Sequence, residues 1–291
     1  MLSTTHDYVW FQTQALACTC AKAQRLAWPV PERGNPAKIE DDRLPKAISR
    51  AETPNNRLLA LLPPPDYARL HPHLKRIPLT YRQSLYRAHK PIGHVYFIER
   101  GVGSLVNTMK NGDASEVGTI GNEGVVGLPL LLGDDRAPTS VYIQVPGEGL
   151  QIEASRFKSE MAKSASLRAV MHLYTHAFFN QVAQSAACNQ FHSLEQRCCR
   201  WLLMTHDRMQ GDEFVLTQEF LAMMLGVQRT GVSYAAGVLQ RAGLITYSRG
   251  KVTIIDRAGL LRRACECYDI SKREFDRLLG DHPARGKVKK K

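Results

Sequence analysis

The sequence predicts an α+β fold in which a β-rich first half is joined by a long helix to a small helical domain. Three observations carry this. Between Ile77 and Ile152 short apolar runs of strand character recur, broken by Gly101, Gly103, Asn111-Gly112, Gly121, Gly124 and Gly133-Asp134. After Ser155 the apolar spacing changes to steps of three and four and holds to about Phe191. Beyond it, two short helical stretches meet at Gly226 and lead into a basic hairpin.

Length and charge bound the reading. A chain of 291 residues, 44% of them hydrophobic, suits two domains with modest cores. No apolar run approaches the roughly 18 residues a membrane span needs, so no membrane partner is expected and a cytoplasmic location is. The net charge of +12 is concentrated late, with 18 Lys and Arg against 11 Asp and Glu in residues 192–291. A basic domain gains affinity for a polyanion by releasing its counterions, and nucleic acid is the commonest such partner. The seven cysteines are odd in number and partly adjacent, which fits reduced thiols. Cys18-x-Cys20 and Cys265-x-Cys267 each lack a second pair at zinc-site spacing, so no metal and no cofactor are expected. Cys198-Cys199 stands between Arg197 and Arg200, a setting that can lower a thiol pKa, but packing as small apolar groups is favoured over redox sensing.

The elements follow in order. Residues 1–54 carry five prolines among charges after position 28 and read as an extended leader. Arg57 to Leu62 and Asp66 to Leu74 read as short helices separated by Pro63, Pro64 and Pro65. The runs HVYFIE, GSLVNTM, SEVGTI, VVGLPLLL and SVYIQV are short strands at the spacing of a β-roll or jelly roll, and Asn111-Gly112 is a hairpin turn in which both residues tolerate positive φ. A helix covers Arg156 to Lys163, and a longer one runs from Leu167 to about Phe191. On the latter Leu167, Val170, Met171, Tyr174, Phe178 and Val182 form a stripe, which we expect to pair with a second copy of the chain. His172 and His176 are four apart without an acidic residue of the zinc-peptidase kind between them, and are read as solvated or packed.

LEQRCCRWLLMTHDRM begins the last domain as a helix. Thr217 is placed to cap a helix ending at Leu225, Gly226 can take the left-handed turn, and a second helix starts at once. Two helices joined this tightly make a helix-turn-helix, whose second member enters the DNA major groove. LITYSRGKVTIID then reads as two strands with Arg249-Gly250-Lys251 at the bend, a wing that offers cations to phosphates.

From about Asn55 to Asp269 the chain resembles the Crp/Fnr family of bacterial transcription regulators, through HVYFIERGVGSLV, VGTIGNEGVVGLPLLLG, SLEQRCCRWLLMTHDRM, LTQEFLAMMLGVQRTGVSYAAGVLQRAGLI and YSRGKVTIID. The resemblance implies a cyclic-nucleotide-binding-type β-roll at 55–164, a dimerisation helix at 165–192 and a winged helix-turn-helix at 193–270, with 271–291 a basic extension. It implies a DNA-contacting set of Thr217, Gln218, Gln228, Arg229, Thr230, Gly231, Ser233, Tyr234, Arg249 and Lys251. Arg229 falls at the family's base-contacting arginine, where its two parallel donors suit guanine O6 and N7. Thr230 and Tyr234 stand where the family has Glu and a second Arg, so the half-site is expected to differ.

In the nucleotide pocket, Gly127, Leu128, Arg136, Pro138 and Thr139 occupy the family's positions, with Leu128 and Pro138 in place of the glutamate and arginine that hold ribose and phosphate. Losing both charged groups removes the bonds a cyclic phosphate needs, unless nearby Arg136 substitutes. The expected function is therefore a homodimeric, sequence-specific regulator that reads an inverted repeat in double-stranded DNA without cyclic AMP, with RNA polymerase as a further partner and no effector assignable. The alternative is a ligand-sensing roll whose winged helix is an adaptor for a protein. An enzyme is not expected: His71, His73, His89 and His94 form no metal-site pattern, and no nucleophile, base and oxyanion set is visible.

Overall fold

The computed structural model describes residues 54–209 and 211–280. Most of the expected leader, with Cys18 and Cys20, and the terminal GKVKKK lie outside the described residues. Asn56 caps α1 (Arg57–Ala60), its Oδ1 accepting from Leu58 N and Leu59 N, and α2 (Pro64–Leu70) follows the three prolines before a 3-10 turn at His71–His73.

The strands are β1 (Lys75–Leu79), β2 (Ser84–Tyr86), β3 (His94–Thr108), β4 (Ala114–Ile120), β5 (Val125–Val126) and β6 (Ser140–Glu153). All pairings are antiparallel, in the order β1-β6-β3-β4, with β2 also on β6 and β5 also on β3. Two expectations are corrected here. The hairpin between β3 and β4 is present, but only Gly112 has positive φ, and Gly112 N donates to Met109 O at 3.0 Å. That is a type I turn closed by a left-handed glycine, not a two-residue turn with both residues at positive φ. VVGLPLLL is not one strand: Gly127, at φ 119°, ends β5 and begins the helical turn α3 (Leu128–Leu131), where Pro129 sits in the first turn and needs no N–H partner.

After α4 (Ala154–Lys163), Ser164 caps the 27-residue helix α5 (Ala165–Phe191), its Oγ accepting from Leu167 N at 3.0 Å. Ser193 and Gln196 form a capping box at the start of α6 (Leu194–Asp207). Next come β7 (Glu213–Val215), α7 (Gln218–Leu225), α8 (Arg229–Arg241), β8 (Ile245–Ser248), β9 (Lys251–Ile254) and α9 (Arg257–Arg263). The last described helix, α10 (Cys267–Leu279), replaces the start of the expected extension at 271. It folds because Phe275 and Leu279 have somewhere to go: both are buried in the core of the roll, alongside α5.

Two large apolar cores result. One joins the roll to α5 and α10, the other joins α6, α7, α8 and the small β7-β9-β8 sheet. The second core also takes Val106 from β3, and polar contacts cross the same junction. Trp201 Nε1 donates to Glu116 Oε1 at 3.1 Å, and the buried Arg208 guanidinium donates to Glu123 Oε1 from Nε at 2.9 Å and from Nη2 at 2.7 Å.

Candidate nucleic-acid interface

The helix-turn-helix is built by three local choices. Thr217 Oγ1 accepts from Phe220 N at 3.1 Å and starts α7; Gly226, at φ 62°, stops it; Gln228, in extended conformation, begins α8. Phe220, Leu221, Met224 and Leu225 of α7 face the core together with Val232, Ala235, Ala236 and Leu239 of α8. What remains outward at the head of α8 is polar: Gln228, Arg229, Thr230, Ser233 and Tyr234 are all exposed, Tyr234 at 72%.

Arg229 is the first residue of α8, and its Nε lies 3.1 Å from Glu219 Oε1 of α7, with both side chains about half exposed. Sequence reasoning missed Glu219. An exposed ion pair of this kind holds little energy, so it can present the guanidinium yet release it to a stronger acceptor. Ser233 Oγ donates to Gln218 Oε1 at 2.7 Å, which fixes Gln218 of α7 against the outward face of α8. Gly231 packs on α6, where a Cβ would meet Leu194 Cδ2 at 3.0 Å, so it is a packing position on the opposite side from Arg229's exposed head. At the wing, Ser248 pairs with Lys251, and Arg249 (φ 49°) and Gly250 (φ 75°) both take positive φ in the tight turn between them. Arg249 and Lys251 are exposed, and Lys251 Nζ lies 2.8 Å from Glu213 Oε1. The structure therefore gathers Gln218, Gln228, Arg229, Thr230, Ser233 and Tyr234 on the two helices and puts the wing cations beside them in the same small domain.

Residues 78–164 match the cyclic nucleotide-binding domain, and residues 196–263 match the Crp-like helix-turn-helix domain. The chain belongs to the Crp/Fnr family. Solved Crp/Fnr-type structures share its fold. A crp/fnr-family putative transcriptional regulator from Eubacterium rectale is 18% identical, over 69% of this chain and 94% of its own, at a TM-score of 0.56. A CRP-family transcriptional regulator from Thermus thermophilus is 20% identical over 65% and 96%, at 0.55. FixK2 from Bradyrhizobium japonicum is 13% identical over 66% and 98%, at 0.57. No curated protein matches the chain in sequence.

The pocket of this Crp/Fnr-type roll departs from the expected residue set. A cavity of about 110 Å³ is lined by Gly127, Leu128 and Thr139 together with Tyr86, Tyr174 and Phe178 among others, and its walls are mostly apolar. Pro138 and Arg136 are exposed and do not line it. Arg136 bridges its own loop and the segment between β2 and β3, with Nη1 donating to His89 O at 3.3 Å and Nε 3.4 Å from Asp135 Oδ1.

The stripe expected to pair two copies is committed elsewhere. Leu167, Val170, Met171, Tyr174 and Phe178 are buried in the core of the roll, with Val182 packed at its margin, and Tyr174 Oη donates to Val125 O at 3.2 Å. The larger side chains of α5 pack on the nearest apolar surface, which is the chain's own sheet. Left uncovered are Ala169, His172, His176, Phe179, Ala183 and Ala186, in alternating steps of three and four, with Phe179 at 68% exposure and Leu173 beside them at 41%. This second stripe does not stand out in the sequence, because Phe179 and the alanines carry apolar character onto the outer face of the helix as well.

The thiols beside Arg197 and Arg200 do not have the lowered pKa that the sequence allowed. Cys198 and Cys199 are buried in the winged-domain core, and burial pushes Cys199 up to about 12 and Cys198 up as well.

Proposed function

We propose that the chain is a homodimeric, sequence-specific DNA-binding regulator of transcription that reads an inverted repeat, and that it does so without cyclic AMP. The observation that carries this reading is the head of α8, where an exposed arginine, threonine, serine and tyrosine stand on a helix anchored by four buried apolar residues. Arg229 would take guanine, at roughly 1–3 kcal/mol of discrimination, with Thr230 and Tyr234 reading or contacting its neighbours and Thr217, Arg249 and Lys251 on the backbone. Pairing through the uncovered face of α5 supplies the second copy, since three-and-four spacing is that of a helix seam and its alanines allow close approach. Two heads related by a dyad would then meet half-sites about one helical turn apart.

The reading without cyclic AMP rests on the cavity. At about 110 Å³ it lies below the roughly 300 Å³ at which ligand sites begin, and it offers a phosphate no cationic side chain among its lining residues. RNA polymerase as a partner and a cytoplasmic setting follow from this role; among the described residues no helix is long and apolar enough to cross a membrane.

The test is selection of binding sites from a random duplex pool by wild type and by Arg229→Ala, at two salt concentrations and without added ligand. An inverted repeat recovered by wild type and relaxed at one base pair by the variant is expected. Equal selection by both proteins would sink the assignment of Arg229, and no enrichment by wild type would sink regulation without effector.

A further inference from the structure

Where α5 ends and α10 begins, four side chains that bind metals converge. Cys188 is on the last turn of α5 and His192 is its C-cap; Cys265 and Cys267 stand on either side of Glu266, at the entry to α10. Cys188 Sγ lies 3.5 Å from Cys265 Sγ, and Cys267 Sγ lies 3.5 Å from His192 Nδ1. The four ligand atoms all lie within 4.8 Å of one another. The three cysteines are buried and form a small cluster separate from the two main cores.

We propose that Cys188, His192, Cys265 and Cys267 bind one zinc ion in a tetrahedral Cys₃His site that fixes the end of the winged domain to the end of α5. With bonds of about 2.3 Å to sulfur and about 2.0 Å to nitrogen, a tetrahedral ion sets its ligand atoms roughly 3.5–3.8 Å apart. The two separations fall at the short end of that range, and the 4.8 Å limit leaves only small rotamer adjustments. An iron–sulfur cluster is excluded by the same limit, because its several irons hold the cysteine sulfurs farther apart. A plain disulfide between Cys188 and Cys265 would account for two of the groups and leave Cys267 and His192 facing each other for no reason.

The surroundings favour a metal as well. His192 Nε2 lies 3.2 Å from Glu266 Oε2, so a ring N–H donated to that carboxylate leaves Nδ1 as the free lone pair aimed at the sulfurs. This is the carboxylate–histidine–metal arrangement that orients a ligand ring. Gln184 Nε2 donates to Cys267 Sγ at 3.0 Å, a bond that stabilises a thiolate. On binding, the three thiols lose their protons to solvent and bind as thiolates, with no oxidation involved. The site was not legible as a zinc pattern, because Cys188-x3-His192 and Cys265-x-Cys267 are separated by more than seventy residues.

The experiment uses full-length protein purified under reduction and without a metal-chelating resin. Elemental analysis is expected to give about one zinc per chain, lost in Cys188→Ser and Cys267→Ser and kept in Cys198→Ser, whose thiol is buried in the other core. Since a ligand variant can fail to fold, wild type is also stripped with a chelator and titrated with Co²⁺ alone. One equivalent is expected to produce the thiolate charge-transfer band and the intense visible absorption of a tetrahedral site, with the visible band shifted in His192→Ala. Wild type that neither carries zinc nor develops the cobalt spectrum overturns the proposal. So does zinc retained by Cys267→Ser, or a Cys188–Cys265 disulfide found in the reduced preparation.

Discussion

Removing the charge of Glu123 tests how the roll and the winged domain are joined. Glu123 and Arg208 are each less than a tenth exposed, and both guanidinium contacts converge on Glu123 Oε1, while Nη1 donates to Met204 O at 2.6 Å. Burial works against the Glu123 carboxylate, but the charge and hydrogen bonds of Arg208 outweigh it and hold its pKa below the ordinary value. Glu123→Gln keeps the shape and strands a buried cation. Breaking such a pair costs about 3–5 kcal/mol, and because Arg208 keeps its carbonyl partner, the low end, about 3 kcal/mol, is expected. Replacing both residues, as Glu123→Gln with Arg208→Met, removes the stranded charge and is expected to recover at least half of that. The assay is urea unfolding at constant protein concentration, since association adds to apparent stability. A depressed acid contributes stability above its unfolded pKa and loses it as pH falls through its folded pKa, so the gap between wild type and Glu123→Gln must narrow in acid. A single variant within about 1 kcal/mol of wild type near neutral pH, or a double variant worse than both singles together, would refute the account.

Two further outcomes are expected. Glu116 accepts from Trp201, but its Oε2 is shielded from solvent and has no partner, and burial raises its pKa to about 7 from 4.5. A raised acid holds its proton in the folded state, so stability falls as pH climbs from about 4.5 towards 7. Glu116→Gln should therefore stabilise the protein at pH 8 by up to about 3 kcal/mol and change little at about pH 4, as followed by thermal unfolding; an equal effect at both pH values would contradict this. If α5 pairs as proposed, Phe179→Asp should leave the protein monomeric in light scattering where wild type is dimeric, with unfolding little changed, whereas Met171→Ala should lose roughly 2–5 kcal/mol of stability. The opposite pattern would return the pairing face to the stripe around Met171.

The winged domain was legible because its signals are local: Thr217 and Gly226 bracket one helix, and the apolar period of the next leaves Arg229 and Tyr234 outside. The strands of the roll were legible as runs, but not where a glycine changed their course, as Gly127 does on entering α3. On α5 the period fixed the helix without saying which of two apolar faces meets the roll, since that depends on the sheet it lies against. The four ligands at the end of α5 were invisible for a related reason: their proximity is made by tertiary packing over a long separation. Nor does SKREFDRLLG announce a packed helix, since only Phe275, Leu278 and Leu279 in it are large and apolar.

The course of α10 has a mechanical consequence. The chain leaves the roll along α5, builds the winged domain, and then returns, so that Phe275 and Leu279 re-enter the core they departed from and Asn180 Nδ2 of α5 donates to Glu274 Oε2 at 3.1 Å. A domain hung from one connection swings; this one is held where the chain leaves and returns, beside Cys188 and Cys265, and again where Arg208 meets Glu123 and Trp201 meets Glu116. Any reorientation of α8 on the roll must therefore break the buried Glu123–Arg208 pair, or first peel α10 away from α5.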